Sequence, residues 1–320
     1  MERIAVLTSG GDSPGMNACI RATVRRALGR GLSVLGAKKG YEGLIDDEFT
    51  AMSSSDVSNI IQRGGTILHT ARSPRFLEAE GRARAAENLR NRSVDGLVVI
   101  GGDGSFRGAS DLFNEHSIPV VGVPATIDND IWGSDLTIGY DTAVNTALEA
   151  VDKIRDTAAA HDRLFIIEVM GRSAGFIALE VGIGTGAEAV LIPETRTDLQ
   201  AVCDKIQGRI RRGRTSNILI VAEGDEAGNA FEIAAKIFDL SGLKSRVTVL
   251  GHVQRGGSPT TADRVLASKL GWAAVEALMD GAWPCMVGEV DNTVVRHPLA
   301  DSWTNRKALD PLLLTLSDNL

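Results

Sequence analysis

The chain has 320 residues, 43% of them hydrophobic and 23% charged, so it is too apolar for a disordered polymer and long enough to bury a large core or two domains. Its net charge of −7 has the wrong sign for a general nucleic-acid binder. The three scattered cysteines form neither a disulfide framework nor a zinc site, and no apolar run reaches the ~20 residues of a membrane span, so a soluble, cytoplasmic protein is expected.

Short apolar runs alternate with longer helical patterns along the whole chain. The runs at 4–7, 97–100, 120–123, 165–169, 189–192, 218–222 and 247–250 predict strands. The first is too short for the core of a signal peptide. Helical patterns cover 16–30, 78–91, 106–116, 141–159, 198–212, 231–241 and 261–280. Past Val287 the pattern is a hairpin turning at Asp291-Asn292, followed by a terminal helix. Most of the strands are apolar throughout, as parallel strands covered on both faces require. The fold class expected is therefore α/β, with doubly wound, mainly parallel sheets.

Ligands of such sheets bind at the carboxyl ends of the strands, and the unusual loops fall there. Ser9-Gly10-Gly11-Asp12-Ser13-Pro14-Gly15 follows the first strand and precedes a helix. Its glycines let backbone approach an anion, but the same residues make an ordinary tight turn, and the loop is not a Walker P-loop. Gly101-Gly102-Asp103-Gly104-Ser105 opens the next helix, and an aspartate there serves either a turn or a phosphate-bound Mg²⁺.

Pro124-Ala125-Thr126-Ile127-Asp128-Asn129-Asp130 sets two carboxylates either side of one residue. That spacing suits an Asx-rich turn or a kinase loop, which needs one carboxylate as base and often another near the metal. Opposite charge comes from Met170-Gly171-Arg172 and from Gly251-His252-Val253-Gln254-Arg255-Gly256-Gly257, because guanidinium groups bind phosphate by paired hydrogen bonds. Gly182-Ile183-Gly184-Thr185-Gly186-Ala187 nearly spells a dinucleotide fingerprint. It follows a helical pattern and precedes a strand, the reverse of the required order, so a nicotinamide cofactor is not expected.

Taken in order, TSGGDSPGMN, YEGL, GGTIL, GGDGS, PATIDND, DKIRDTAAAHDR, VMGR, VAEG and VTVLGHVQRGGSP resemble the bacterial ATP-dependent 6-phosphofructokinase family along nearly the whole chain. The resemblance implies transfer of the γ-phosphoryl group of MgATP to the 1-hydroxyl of fructose 6-phosphate, the committing step of glycolysis. It implies two Rossmann-like domains with the active site in the cleft between them. The larger, ATP-binding domain would be 1–139 plus 256–305, and the smaller, sugar-phosphate domain 140–255 plus 306–320.

Carried over by position, Asp128 is the expected base, with Thr126, Asp130, Arg72 and Arg172 completing the catalytic set and Asp103 and Asp130 facing Mg²⁺. Gly11, Arg72, Ser73, Gly102, Asp103, Gly104, Ser105 and Gly108 would line ATP. Thr126, Ile127, Asp128, Arg163, Met170, Gly171, Arg172, Glu223, Arg246, His252, Val253, Gln254 and Arg255 would bind the sugar phosphate. In the family Arg163 and Arg246 reach in from a neighbouring subunit, which implies a homotetramer with shared active sites.

Arg21 and Arg25, one helical turn apart, with Arg155, Gly186, Ala187, Glu188, Arg212 and Arg214, match the family's effector site for ADP or phosphoenolpyruvate. Ser54 and Asn59 depart from that pattern, and without the resemblance the arginines are a solvated helix face. Pyrophosphate-using relatives carry aspartate at position 104 and lysine at 125. Gly104 and Ala125 therefore favour ATP. A kinase of the same fold with another donor or acceptor is the neighbouring alternative. A silent sugar-phosphate sensor is the alternative from another class, but it would have no need of Asp128.

Overall fold

The computed structural model describes residues 1–159, 164–213 and 216–319. In chain order its elements begin with β1 (Arg3–Thr8), α1 (Met16–Gly29), β2 (Ser33–Ala37), α2 (Tyr41–Ile45), β3 (Phe49–Met52), α3 (Pro74–Leu77) and α4 (Ala79–Asn91). Next come β4 (Gly96–Gly101), α5 (Asp103–His116), β5 (Val120–Pro124), α6 (Tyr140–Ala159), β6 (Leu164–Val169), α7 (Phe176–Thr185) and β7 (Ala189–Leu191). The remainder is α8 (Leu199–Arg211), β8 (Asn217–Ala222), α9 (Ala230–Ser241), β9 (Ser245–Val249), α10 (Thr261–Met279), β10 (Cys285–Val290), β11 (Thr293–Pro298), α11 (Asp301–Thr304) and α12 (Pro311–Asp318).

The chain divides into two compact units: Met1–Thr142 with Arg255–Lys307, and Ala143–Gln254 with Ala308–Leu320. Within the first, the sheet order is β11-β10-β5-β4-β1-β2-β3, and every pairing is parallel except those of the two edge strands. Successive residues of these apolar strands go to opposite faces, as the two-residue period dictates. Ile4, Val6, Val98, Ile100, Val121 and Val123 pack under α1 and α10, while Ala5, Leu7, Leu97, Val99 and Val120 pack against α4 and α5. Burial on both faces is why these segments are apolar without alternation.

The second unit carries the all-parallel sheet β7-β8-β6-β9. Leu164, Ile166, Leu219 and Val221 pack beneath Ile206 of α8 and Ile233 of α9. The expected strands, helices and hairpin are present. Asp291 (φ 49°) and Asn292 (φ 60°) make the tight turn with the left-handed backbone that a two-residue hairpin needs. Two strands, β2 and β3, had no sequence signal. Gly36 leaves a gap in β2 because a Cβ there would lie 2.7 Å from both Leu68 and Met52 side-chain atoms. Gly182 and Gly184 lie inside α7 and Gly186 is its left-handed C-cap, so the near-fingerprint is a helix end. No helix among the described residues is long and apolar enough to cross a membrane.

Helices α1 and α10 meet closely at Gly271 and are clamped at one end by Arg26 and Arg30, both bonded to Glu276. Hydrogen bonds from Arg30 and then Arg26 hold the Glu276 carboxyl at about 2 instead of 4.5. A depressed folded-state value stabilises above the unfolded value and is lost as pH falls through the folded one. Glu276→Gln should therefore cost about 1 kcal/mol at pH 7 by urea denaturation. The difference from wild type should shrink as the pH drops below 4.5.

Candidate active site

In the first unit three loops leave the carboxyl ends of neighbouring strands β1, β4 and β5. They are stitched together by backbone bonds: Ser9 N donates to Ile100 O (3.0 Å) and Ala125 N to Gly101 O (2.9 Å). Gly101 is required at the junction, because a Cβ would lie 2.6 Å from Ser9 O and 2.7 Å from Ser105 Oγ. The first loop turns at Gly10 (φ 89°) and Gly15 (φ 109°), conformations that favour glycine. Arg255 covers it: its Nη1 donates to Asp12 O (3.2 Å), and a Cβ on Gly11 would lie 2.8 Å from that nitrogen. Arg255 thus sits against the first glycine loop in addition to closing the 251–255 segment.

Helix α5 begins at Asp103, three residues before the periodic pattern predicted, and its N-cap is Gly102. A glycine cap offers no side chain to the first N–H groups; Ser105 N donates to Gly102 O (3.0 Å), and such a helix end is suited to an anion. Asp103 is placed favourably for the helix dipole and makes a long pair with Arg107 (3.9 Å). Gly104 is exposed, and a Cβ there would meet nothing within 4 Å. Gly108 faces the stacked rings of Tyr41 and Phe76, and Ser73 caps α3 through Phe76 N while donating to Glu42. Those two positions have packing and capping duties of their own. Arg72 is exposed beside them.

Strand β5 delivers the acidic loop. Ile127 is fully buried, Asp128 is 1% exposed and Asn129 3% exposed, while Asp130 is half-buried. Thr126 Oγ1 accepts from Asp128 N (3.2 Å), and Thr126 O accepts from Thr137 Oγ1 (2.6 Å). Asn129 is left-handed (φ 54°), and its Oδ1 accepts from Thr137 N (3.0 Å) and Lys307 Nζ (2.8 Å). The sequence marked the aspartates but missed Asn129, Thr137 and Lys307 as the groups holding them. The one local sign is the residue type: Asn is among the residues that tolerate the positive φ found at 129.

The second unit supplies a guanidinium on a constrained turn. Gly171 (φ 144°) and Arg172 (φ 52°) follow β6, and Glu223 Oε1 accepts from Arg172 N (2.7 Å) and Gly171 N (3.3 Å). Glu223 therefore shapes the turn, and the Arg172 side chain is exposed. Met170 N donates to Gln254 Oε1 (2.9 Å); Gln254 is fully buried, so it supports Met170 from beneath while His252 and Val253 stand exposed. Arg246 is exposed on the edge strand β9. Arg163 lies outside the described residues.

The profile of the phosphofructokinase family matches residues 3–278. An ATP-dependent 6-phosphofructokinase of Thermus thermophilus is 57% identical over 320 residues, which are 100% of this chain and 99% of that one. The chain belongs to the phosphofructokinase family. Among solved structures, phosphofructokinase from Saccharomyces cerevisiae superposes with a TM-score of 0.89 at 38% identity over 94% of this chain, which spans 45% of the yeast chain. A pyrophosphate-dependent phosphofructokinase from Marinobacter aquaeolei shares the fold, with TM-score 0.84 at 22% identity over 97% of this chain and 86% of its own.

The residues expected at an effector site belong to both units. On α1, burial and then the charge of Arg25 push the Arg21 guanidinium below its ordinary value. In the second unit Arg155 Nη2 donates to Thr185 O (2.7 Å) and Gly186 O (3.2 Å). Glu188 is buried, paired with Arg209 (2.9 Å) and bonded to Ile218 N, and Ala187 is fully buried. Arg212 is the C-cap of α8, and Arg214 lies outside the described residues.

Proposed function

We propose that this chain is an ATP-dependent 6-phosphofructokinase that transfers the γ-phosphoryl group of MgATP to the 1-hydroxyl of fructose 6-phosphate in the cytoplasm. Full-length likeness, at 57% identity, to an enzyme named for that activity carries the reading. Asp128 accepts the hydroxyl proton as the new P–O bond forms. A buried carboxylate within a clamped loop suits that role, since a base works only within hydrogen-bond reach of the proton. Thr126 and Asp130 flank the transferring group, and Arg72 neutralises charge developing on it.

Gly11, Ser73, Gly102, Gly104, Ser105 and Gly108 line the nucleotide, whose phosphates meet the N-terminal N–H groups of α5. Met170, Gly171, Arg172, Glu223, His252 and Arg255, with Arg163 and Arg246 of a neighbouring subunit, hold the sugar phosphate. The exposure of Arg246 on an edge strand supports such sharing in a homotetramer. Asp103 and Asp130 fit a Mg²⁺ carried by the nucleotide. Such an ion needs one or two carboxylates beside the phosphates, and Asp103 is partly exposed and makes a long pair with Arg107. When bound, the ion would neutralise negative charge on the phosphates.

The donor follows from Gly104 and Ala125. Open space at Gly104 leaves room for a nucleotide phosphate, where an aspartate would crowd and repel it. The Ala125 methyl is buried in the apolar cluster beneath the sheet, which has no place for a lysine ammonium. With fructose 6-phosphate as acceptor, turnover with ATP should exceed that with pyrophosphate by about 100-fold in a coupled assay. A dominant pyrophosphate rate would overturn the donor assignment, and binding of sugar phosphate without turnover would mark a sensor.

Regulation by ADP or phosphoenolpyruvate belongs to the same reading. Arg21 and Arg25 are like charges one turn apart, a pair that an anion relieves. Either effector should shift the KM for fructose 6-phosphate, and Arg21→Ala should abolish the shift. An unresponsive wild-type enzyme would exclude an effector role for this site.

A further inference from the structure

Lys307 is the last residue of the first unit, just before the chain passes to α12. It is far in sequence from every loop singled out by motif. Its half-buried side chain nevertheless ends on the acidic loop: Nζ donates to Asn129 Oδ1 (2.8 Å) and to Asp135 O (2.6 Å). Asn129 is the residue between Asp128 and Asp130.

These bonds close a ring. Asn129 Oδ1 also accepts from Thr137 N (3.0 Å), Asn129 Nδ2 donates to the same Asp135 O (3.3 Å), and Thr137 Oγ1 donates to Thr126 O (2.6 Å). The far side of the ring is fixed to the β10–β11 hairpin, because Asp135 N donates to Glu289 O (2.8 Å) and Asp135 Oδ2 accepts from Asp291 N (2.8 Å). Strand β10 of the hairpin pairs with β5, so the ring and the strand that delivers the acidic loop are tied to the same sheet. Lys307 is the only member of this ring contributed by the C-terminal segment among the described residues, and it bridges the aspartate loop to the anchored segment. With its ammonium removed, Asn129 keeps a left-handed backbone with one fewer group to hold it there.

We propose that Lys307 is a positioning residue for phosphoryl transfer: by bracing Asn129 against Asp135 it fixes where the Asp128 carboxylate meets the acceptor hydroxyl. This inference rests on the kinase reading above. Phosphoryl transfer draws most of its acceleration from placement, and a base displaced by an ångström acts on the rate with little effect on ground-state binding.

The test is a kinetic double-mutant cycle on the full-length enzyme. Lys307→Met should lower kcat by about 10–100-fold while leaving both KM values within about threefold, and Lys307→Arg, which keeps a donor, should recover most of the loss. Asn129→Gly keeps the positive φ but removes the acceptor, so it should show the same kcat-only signature. The double variant should be no slower than the worse single variant. A Lys307→Met enzyme within about twofold of wild type, or losses that multiply in the double variant, would overturn the proposal. Should Lys307→Met fail to fold, Asn129→Gly decides alone, and an unchanged kcat there sinks the idea. Wild-type turnover, measured first, separates failure of this inference from failure of the kinase reading.

Discussion

Replacing Asp128 with asparagine should lower kcat by about 10²–10⁴-fold while both KM values stay near those of wild type. The substitution is close to isosteric, and several of the bonds that hold the loop do not involve the Asp128 carboxylate. These are Thr126 Oγ1 with Asp128 N, Thr137 Oγ1 with Thr126 O, and Asn129 with Thr137 N and Lys307. Geometry should therefore persist while the capacity to take a proton is lost. Steady-state kinetics with saturating ATP and fructose 6-phosphate, alongside a thermal midpoint, distinguish this from unfolding. Turnover within about threefold of wild type would remove Asp128 from the role of base.

Gly224→Ala should damage the other half of the chemistry without touching a functional side chain. A Cβ on Gly224 would lie 1.9 Å from Arg172 O, 2.9 Å from its carbonyl carbon and 3.2 Å from Ser173 Cα, all backbone atoms that cannot swing aside. The Gly171-Arg172 turn is already bound to Glu223 and left-handed at Arg172, so it has little room to adjust. The expected cost is about 3 kcal/mol of stability by denaturant titration. Displacing Arg172 should also raise the KM for fructose 6-phosphate by about 10–100-fold, the worth of one or two charge-assisted bonds, with the KM for ATP nearly unchanged. Equal rises in both KM values would refute the assignment of this turn to the sugar phosphate.

These two sites differ in how far they could be read from sequence. The aspartates of 124–130 stood out because their motif is contiguous and an apolar strand precedes it. Gly224 closes the VAEG motif, but the reason a glycine is needed there, the approach of a turn more than fifty positions away, showed only in the folded chain. Ser73 is a comparable case, since its hydroxyl is engaged with Glu42 and the α3 N-terminus. Arg255 was expected from sequence to bind an anion, and its packing over Gly11 and Asp12 came only from the folded chain.

By itself the sequence determined the strand–helix alternation, the delivery of the glycine and acidic loops at strand ends, the Asp291-Asn292 hairpin and the family. The first three depend on residues within a few positions of one another, where periodicity and turn preference act directly, and the family on the order of such local motifs along the chain. Only the tertiary structure decided the place of β2 and β3 at the sheet edge, the burial of Gln254 beneath Met170, and the brace from Lys307 to Asn129. Those depend on partners brought together by the sheet order. A hydrogen bond between residues 129 and 307 leaves no periodic trace in either segment, because only the closing of the sheet onto β10 and β11 brings them within reach.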